Sequence, residues 1–595
     1  MNRFLVVGGA SFDVLHLEDR TVESVGGAGM YTAMAAHRCG AQVAMFYLRP
    51  DPCPEPLKPV AARLTEWLGP IISPEQMLQF EISYRGGKTE YLKVEVDAVA
   101  MLSPTMLPAD LSKYDLVHVG PKGDATKQLS FIQACRQRGA KQISAGTGLF
   151  IADEQPQAVS AVMELSDYFF MNDLEANAVF GSLESVNTVP GKVIYVTLGV
   201  QGACIIQGDT STLIPAVSAT VVDPTGAGDT FCGATLAYLL QKEHPIMAAR
   251  HAIPLAAEMI TQIGPTALLS EGPPPDAPLD ERVRVNDGQV RKVAEKISTL
   301  SEAYPFPFVS PELPPVGYPR ALDYFFAFTL QQFSFWSERN NRYHQPLIAR
   351  IRGIEQKGSV YLWDAFKRRV EGDPDFCSPE RQANLSREDL LEVFRADNGD
   401  DPMPALDLHL EQARMYGSDM LALRLTPQVV LDRALASAQP LQTFMVTLDQ
   451  IGGYKEDPLR KKSSLLAMIL NQRPEMFLPL RNDEQVKPVI DYHALRSCLR
   501  IGLIDVIDDE LKNKLTNRQI VSPAEEWAVR YAAYLAIEQV TALSGKSQGA
   551  VDWFFFGARK RCPEMSEPEC RFCLVDPVCA HRKELFQPVF RTTFY

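Results

Sequence analysis

The sequence predicts two domains of different class. The first is an open, mostly parallel α/β sheet with helices on both faces and a small β lid. The second is an all-α domain. Three observations carry this expectation. Residues 1–270 alternate short apolar runs with amphipathic helical stretches, the pattern of a sheet buried on both faces. Residues 271–318 are rich in proline and read as a linker. From 319 to 595 the apolar residues recur at helical spacing, and strand-like runs are few. A chain of 595 residues is also too long for one hydrophobic core.

The elements follow in order. Runs beginning at Phe4, Gln42, Leu116, Gln142, Tyr168 and Val193 are the expected buried strands, separated by helices such as 30–37 and 127–138. Residues 83–97 alternate polar and apolar side chains around Gly86-Gly87, as a lid hairpin would. In the second half, helices are expected at 321–336, 361–371, 387–395, 404–416, 427–437, 460–471, 491–501 and 523–541.

Composition narrows the function. The chain is 46% hydrophobic and 22% charged, with a net charge of −14. That balance is ordinary for a soluble globular protein, and it disfavours sequence-blind adhesion to nucleic acid, which needs a basic face, without excluding a local basic cleft. No apolar run is long enough for a membrane span. The apolar start, Phe4-Leu5-Val6-Val7, meets glycines at once and reads as a first strand rather than a secretory signal. Eleven cysteines, seven of them scattered singly, point to a reducing, cytoplasmic setting.

Asp223-Pro-Thr-Gly226-Ala227-Gly228-Asp229 precedes an apolar helical run. Small residues there leave backbone N–H groups bare at a helix N-terminus, an anion hole for a transferring phosphoryl group. Asp229 at the helix start can take a proton from an attacking hydroxyl. This phrase resembles the second diagnostic motif of the ribokinase-like (pfkB) carbohydrate kinases. Gly8-Gly-Ala-Ser-Phe-Asp13 resembles that family's first strand with its substrate-binding Asp. Gly26-Gly27-Ala-Gly-Met-Tyr31 resembles the first motif, whose paired glycines let the sugar approach. Asn172-Asp-Leu-Glu175 matches an element tied to Mg²⁺ and phosphate, and Thr197-Leu-Gly199-Val-Gln-Gly202 a turn near the nucleotide. The resemblance implies ATP and Mg²⁺ as cofactors, a sugar or nucleoside acceptor, and a kinase domain through which a homodimer could form. Two positions depart from the family. Tyr31 stands where Asn is usual, either facing a base or packing internally, and the usual acidic strand end near Ser144 is missing.

Near the other end, Cys562, Cys570, Cys573 and Cys579 stand as C-x7-C-x2-C-x5-C. One compact loop with a single C-x2-C suits an iron–sulfur cluster better than structural zinc, which usually pairs two such knuckles; zinc remains the alternative. The spacing resembles the [4Fe–4S] loop of the endonuclease III and adenine-glycosylase group, whose first gap is usually one residue shorter. Ile490-Asp491-Tyr492-His493-Ala494-Leu495-Arg496, followed by Leu499-Arg500-Ile501-Gly502-Leu503, resembles a stretch of helix–hairpin–helix glycosylases in which the Asp is catalytic. The resemblance makes Asp491 the group that stabilises an oxocarbenium-like sugar, beside its simpler role as a helix cap; His493 is expected to be structural.

Segments around Gln332–Trp336, 361–372, 385–395 and 404–410 resemble the queuosine-salvage glycosylases, which release queuine from queuosine 5′-monophosphate. Lys461 and Lys462, after Arg460, could hold a 5′-phosphate, lie on a solvated helix face, or act covalently. Trp336 could stack on a base or belong to the core. The expected function is a bifunctional salvage enzyme: ATP-dependent 5′-phosphorylation of a nucleoside, then hydrolysis of the N-glycosidic bond of the nucleotide. The rival is a DNA base-excision glycosylase fused to a kinase-like domain, which requires a basic, wedge-bearing groove. A third reading is a non-catalytic binding module.

Overall fold

The computed structural model describes residues 2–85 and 90–595. The chain divides into two compact units, Met1–Pro278 and Leu279–Tyr595.

The first unit is built on a nine-stranded sheet. Its central strands are Arg3–Val7, Leu116–Val119, Ile143–Gly146, Tyr168–Asn172 and Val193–Thr197, all parallel. Gln42–Phe46 and Glu66–Leu68 extend one edge in parallel. Ala203–Gln207 and Thr210–Ile214 finish the other edge as an antiparallel pair. Phe4, Leu5, Val6 and Val7 are fully buried. Such continuous apolar runs form strands because both faces of a parallel sheet are covered by helices. A second sheet orders Thr21–Gly26, Ser11–His16, Leu78–Ser83 and Glu90–Glu95. The last two strands are the expected lid hairpin; its Gly86-Gly87 turn lies outside the described residues.

The second unit is mainly helical. The proline-rich stretch belongs to it from Leu279 onward, so the linker expected at 271–318 is for the most part no linker. Val283–Val285 pairs with Ile504–Val506, and the helix Asp287–Ser298 packs against Pro523–Ser544. Further on, the fully buried Arg473 donates to the carbonyls of Phe308, Pro314 and Pro315 and pins that segment down. Backbone groups that cannot enter a helix or sheet are satisfied instead by a guanidinium.

The unit also departs from all-α. The helix expected at 321–336 stops at Leu330, and Trp336–Arg339 pairs with Arg342–Pro346 in a hairpin. Ser334 takes φ 58°, a left-handed conformation that no helix continues through. A second hairpin joins Ile348–Ile351 to Ile354–Lys357. Elsewhere local chemistry fixes the helix ends. Asp491 caps Tyr492–Ile501, which Gly502 closes at φ 86°. Ser522 and Glu525 form a capping box at the start of Pro523–Ser544. No helix among the described residues is long and apolar enough to cross a membrane.

Candidate functional site

Each unit contains a candidate site. In the α/β unit, Gly226 takes φ 78° immediately before the helix Ala227–Leu240. A Cβ at Gly226 would fall 2.4 Å from the Tyr31 ring. Glycine is therefore required twice over, by conformation and by contact. The turn is braced by Asp223, fully buried, whose carboxylate accepts from Thr225 N–H at 2.9 Å and Gly264 N–H at 2.8 Å. Gly228 has open space where a side chain would be. The first turn of the helix thus presents bare N–H groups beside Asp229, whose carboxyl is pushed up to about 6 by burial.

Asp13 joins this site. Ser11 Oγ donates to it at 2.6 Å, and a Cβ at Gly26 would fall 1.8 Å from Asp13 Oδ2. Gly27, at φ 97°, passes so close to Gly9 that a Cβ would lie 2.6 Å from its carbonyl oxygen. The paired glycines are what admit the Asp13 carboxylate, which burial raises to about 6, with the nearby charge of Asp223 adding to the shift. Tyr31 does not stand open to a ligand. It is 1% exposed and packs beneath Gly226, and its hydroxyl has no hydrogen-bond partner among the described residues.

Asn172 and Glu175 form a capping box at the start of Asp173–Phe180, each accepting a backbone N–H of the other at 2.8 Å. Burial lifts Glu175 to about 7, and the charge of Asp229 adds to the shift. Two buried carboxyls, both raised by burial and one of them by the other's charge, are a fitting seat for a divalent cation, which would relieve them. Thr197 pairs in register with Asn172. Gly199 sits at φ 56°, and a Cβ on Gly202 would strike Ile214 O at 1.9 Å, so the fold itself demands these glycines. Tyr91, on the outer strand of the small sheet, feels the charges of Asp229, Asp13 and Glu175. The sequence motifs did not include it.

The helical unit holds a cavity of about 930 Å³, open solvent at its mouth included. Trp363, Trp553, Phe555 and Phe556 supply aromatic wall, and Phe308 and Leu313 come from the proline-rich segment. Phe306 stacks on Trp553 at 3.9 Å with the rings 8° apart. Among these apolar groups stand Asp491, Lys461 and Asp552. Asp491 Oδ1 accepts the N–H groups of His493 and Ala494, both at 2.9 Å. That cap occupies one carboxylate oxygen and leaves Oδ2 without a protein hydrogen bond among the described residues.

Lys461 is 3% exposed, and its Nζ donates to Gln332 O at 2.7 Å. The carbonyl is free to accept because the preceding helix has already ended. Burial lowers the Lys461 ammonium to about 8, against the opposing charges of Asp491, Asp457 and Asp552. Its backbone is held by Asp457, which accepts Lys461 N–H at 2.8 Å and two bonds from the buried Arg530. Asp552 was not singled out by any sequence motif. Burial raises its carboxyl to about 8, helped by the charge of Asp491 and opposed by Lys461. At neutral pH the cavity therefore pairs a protonated acid with a second carboxyl group.

Three expectations fail here. Lys462 points elsewhere: it lies over the Phe333 ring at 4.5 Å and donates to Gln412 Oε1 at 3.2 Å. Arg460 is bound to Asp449. Neither Lys461 nor Lys462 lies on a solvated face, since both are buried. Trp336 is no base platform. It is 2% exposed and stacks on Tyr343 at 5.4 Å, away from the cavity lining. His493 also lines the cavity, and its Nδ1 accepts from Arg496 at 3.1 Å.

The four cysteines gather beside this site. All four thiols are free of disulfides. The charges of Cys562, Cys570 and Cys573 all act on Cys579, yet among the described residues no three of the four sulfurs lie within 4.8 Å of one another. Sulfurs on a single zinc ion would be closer, because each Zn–S bond spans only about 2.3 Å. Arg500 Nη1 and the His581 N–H both approach cysteine sulfurs at 3.3 Å, on Cys562 and Cys579 respectively. Such donors suit thiolates on a cluster. Cys570, Asp576 and His581 also form a tight group of potential ligand atoms.

These two sites define a chain that joins a ribokinase-like α/β fold, with bare N–H groups beside an acidic group at a helix start, to a helical domain carrying an acidic cavity. Comparison with known proteins gives each part a family. Residues 85–271 match the pfkB family carbohydrate kinase model, and residues 314–451 match the Queuosine salvage protein model. The chain thus contains a pfkB carbohydrate kinase domain and a queuosine salvage protein domain. A ribokinase of Lactococcus lactis subsp. lactis (strain IL1403) is 40% identical over 75 residues, 12% of this chain. The match spans a quarter of that curated relative's length. Among solved structures, the chain is similar to a probable sugar kinase protein from Rhizobium etli CFN 42, at 19% identity and TM-score 0.40, covering 45% of this chain and 96% of that one. It is also similar to a Burkholderia thailandensis nucleoside kinase in complex with inosine, at 22% identity and TM-score 0.39, covering 44% and 92%. A ribokinase from Cryptococcus neoformans var. grubii serotype A in complex with ADP gives 18% identity and TM-score 0.39, covering 45% and 97%.

Proposed function

We propose that the chain is a two-step salvage enzyme that phosphorylates the 5′-hydroxyl of a nucleoside and then hydrolyses the N-glycosidic bond of the resulting 5′-monophosphate. The base is a deazapurine of the queuine type. The observation that carries this reading is the cavity of the helical domain, where Asp491, Asp552 and Lys461 stand inside an aromatic wall. A kinase that makes a nucleotide and a pocket built to cleave one belong in one chain.

In the first step Asp229 takes the proton of the attacking hydroxyl, and the N–H groups following Gly226 hold the transferring phosphoryl group. Asp13 accepts hydrogen bonds from the acceptor's other hydroxyls. Glu175, with Asn172, would hold Mg²⁺, which supplies charge neutralisation for the ATP phosphates. In the second step the Asp491 carboxylate stabilises positive charge growing on the sugar and orients water. The protonated Asp552 donates to the departing base. Lys461, fixed by Gln332 O, sets the charge balance between the two acids. Its lowered pKa would also suit a nucleophilic amine, but its committed hydrogen bond favours an electrostatic role.

Cys562, Cys570, Cys573 and Cys579 would hold a [4Fe–4S] cluster. Its contribution is to cross-link the C-terminal loop to the helices behind the cavity, with no part in the chemistry. Purified protein with an absorbance band near roughly 400 nm and bound iron supports that assignment, and a colourless protein retaining zinc refutes it.

The test of the function is product mass when the protein meets queuosine with and without ATP·Mg²⁺. Free queuine should appear only when ATP is present. Release of equal amounts of base without ATP would overturn the two-step order.

A further inference from the structure

The turn before Gly226 is held from outside itself. Asp223 and Thr225 already close it: Asp223 Oδ1 accepts the Thr225 N–H at 2.9 Å and lies 2.5 Å from Thr225 Oγ1. A third group reaches them from the small sheet. The Tyr84 hydroxyl stands 2.7 Å from Thr225 Oγ1. A carboxylate only accepts, so Thr225 gives its one hydroxyl proton to Asp223, and the Tyr84 O–H donates to Thr225. The chain Tyr84–Thr225–Asp223 therefore runs in one direction, from the end of the strand Leu78–Ser83 to the residue that precedes Gly226.

The same carboxylate meets the small sheet a second time. Asp223 Oδ2 accepts the Gly264 N–H at 2.8 Å. Gly264 takes φ 56°, and a Cβ there would fall 2.0 Å from Ser24 Oγ, on the strand Thr21–Gly26. Its neighbour Ile263 packs with Tyr84 against the buried Leu15, Leu17 and Ile82. Tyr84 also continues the ladder of that sheet. Its N–H donates at 2.9 Å to the carbonyl of His16, the last residue of the strand that carries Asp13. Both oxygens of the fully buried Asp223 are thus tied to one sheet. The far end of that sheet rests on this small cluster, separate from the main core of the unit. A small cluster opens at lower free energy than a main core.

We propose that Tyr84 is a positioning residue for phosphoryl transfer: through Thr225 and Asp223 it fixes the peptide planes that lead into Gly226, so that the N–H groups after Gly226 are aligned only while the small sheet is seated. The sheet that brings Asp13 to the acceptor thereby sets the turn that faces the phosphate. This rests on the phosphoryl-transfer reading above and adds the residue that joins its two halves.

The test uses the full chain, with ATP·Mg²⁺ and queuosine for turnover and without ligands for hydrogen exchange. Tyr84→Phe keeps the ring in its cluster and removes only the hydroxyl. It should lower kcat for phosphorylation by about 3- to 10-fold, the usual weight of one neutral hydrogen bond, and leave KM for the nucleoside unchanged. Amides 226–229 should exchange faster, while the strand Arg3–Val7 stays as protected as in the wild type. Thr225→Val should lower kcat at least as much, and adding Tyr84→Phe to it should cost nothing further, because both act through one bond. Wild-type kcat or wild-type exchange at 226–229 in Tyr84→Phe would overturn the proposal, as would an equal loss from Tyr84→Phe with and without Thr225. A raised KM at unchanged kcat would overturn it too, since Tyr84 would then touch the acceptor itself. Wild-type protein that phosphorylates no queuosine, while Tyr84→Phe still loosens 226–229, would keep the coupling and sink the nucleoside-kinase reading instead.

Discussion

The two candidate sites are built in opposite ways. The core of the α/β site is a contiguous phrase: Asp223, Thr225, Gly226 and Asp229 lie within seven residues, and the proposed anion hole is made by the backbone, with Asp13, Asn172 and Glu175 added from other strands and turns. The site of the helical domain is assembled from distant pieces. Lys461, Asp491 and Asp552 come from three helices, Trp363 from a fourth and Phe308 from a segment before all of them. A backbone site tolerates little variation in sequence, because its geometry needs glycine. A side-chain site needs only that each helix present the right group, so no local pattern announces it.

Substitutions sharpen this contrast. The largest expected effect is at Asp491. Asp491→Asn should lower base release from a supplied 5′-monophosphate by about 10²- to 10³-fold, the usual cost of a lost transition-state charge partner. The 5′-monophosphate should accumulate when nucleoside and ATP are supplied. A release rate unchanged in mass-resolved product assays would remove Asp491 from the chemistry. Next is Gly226→Ala, which sets a Cβ 2.4 Å from the Tyr31 ring at φ 78°. Phosphorylation should fall by about 10-fold or more, from strain of about 1–2 kcal/mol alone, while cleavage of supplied nucleotide persists. Loss of both activities together would mean that the fold had failed, not the anion hole.

The pH dependences should also separate. Asp229 must be ionised to take a proton, and its carboxyl sits at about 6. Phosphorylation is therefore present above that value and lost as pH falls through it. Asp552 must be protonated to donate, and it sits at about 8, as does the Lys461 ammonium. Base release is present below that value and lost as pH rises through it, as a joint titration of the pair. The coupled reaction should run best between about 6 and about 8. Matching pH profiles for the two half-reactions would contradict this assignment. The smallest effect is expected at Trp336. Trp336→Phe should leave KM for the nucleotide unchanged and cost about 1–3 kcal/mol of stability in a denaturant titration, because the ring is core.

Legibility in the sequence follows the same contrast. The parallel strands announced themselves as apolar runs, and the anion hole as Gly226-Ala227-Gly228-Asp229. Asp491 was visible because Ile490–Arg496 and Leu499–Leu503 form a contiguous phrase that resembles a glycosylase stretch. Asp552 was not, since a lone Asp within a helical stretch carries no signal until the fold buries it. Lys462 and Trp336 misled for the same reason. On a helix, Lys461 and Lys462 point to different sides, and sequence alone does not say which side faces a cavity. The hairpin at Trp336 was hidden by a helical pattern that the left-handed Ser334 interrupts. The proline-rich stretch looked like a linker because its backbone partner, Arg473, lies far along the chain.

The most direct test of the relay is Asp229→Asn given either queuosine with ATP·Mg²⁺ or queuosine 5′-monophosphate alone. The variant should release no queuine from the nucleoside and should release it from the monophosphate at the wild-type rate. Queuine released from the nucleoside as fast as by the wild type would contradict the hand-off between the two domains.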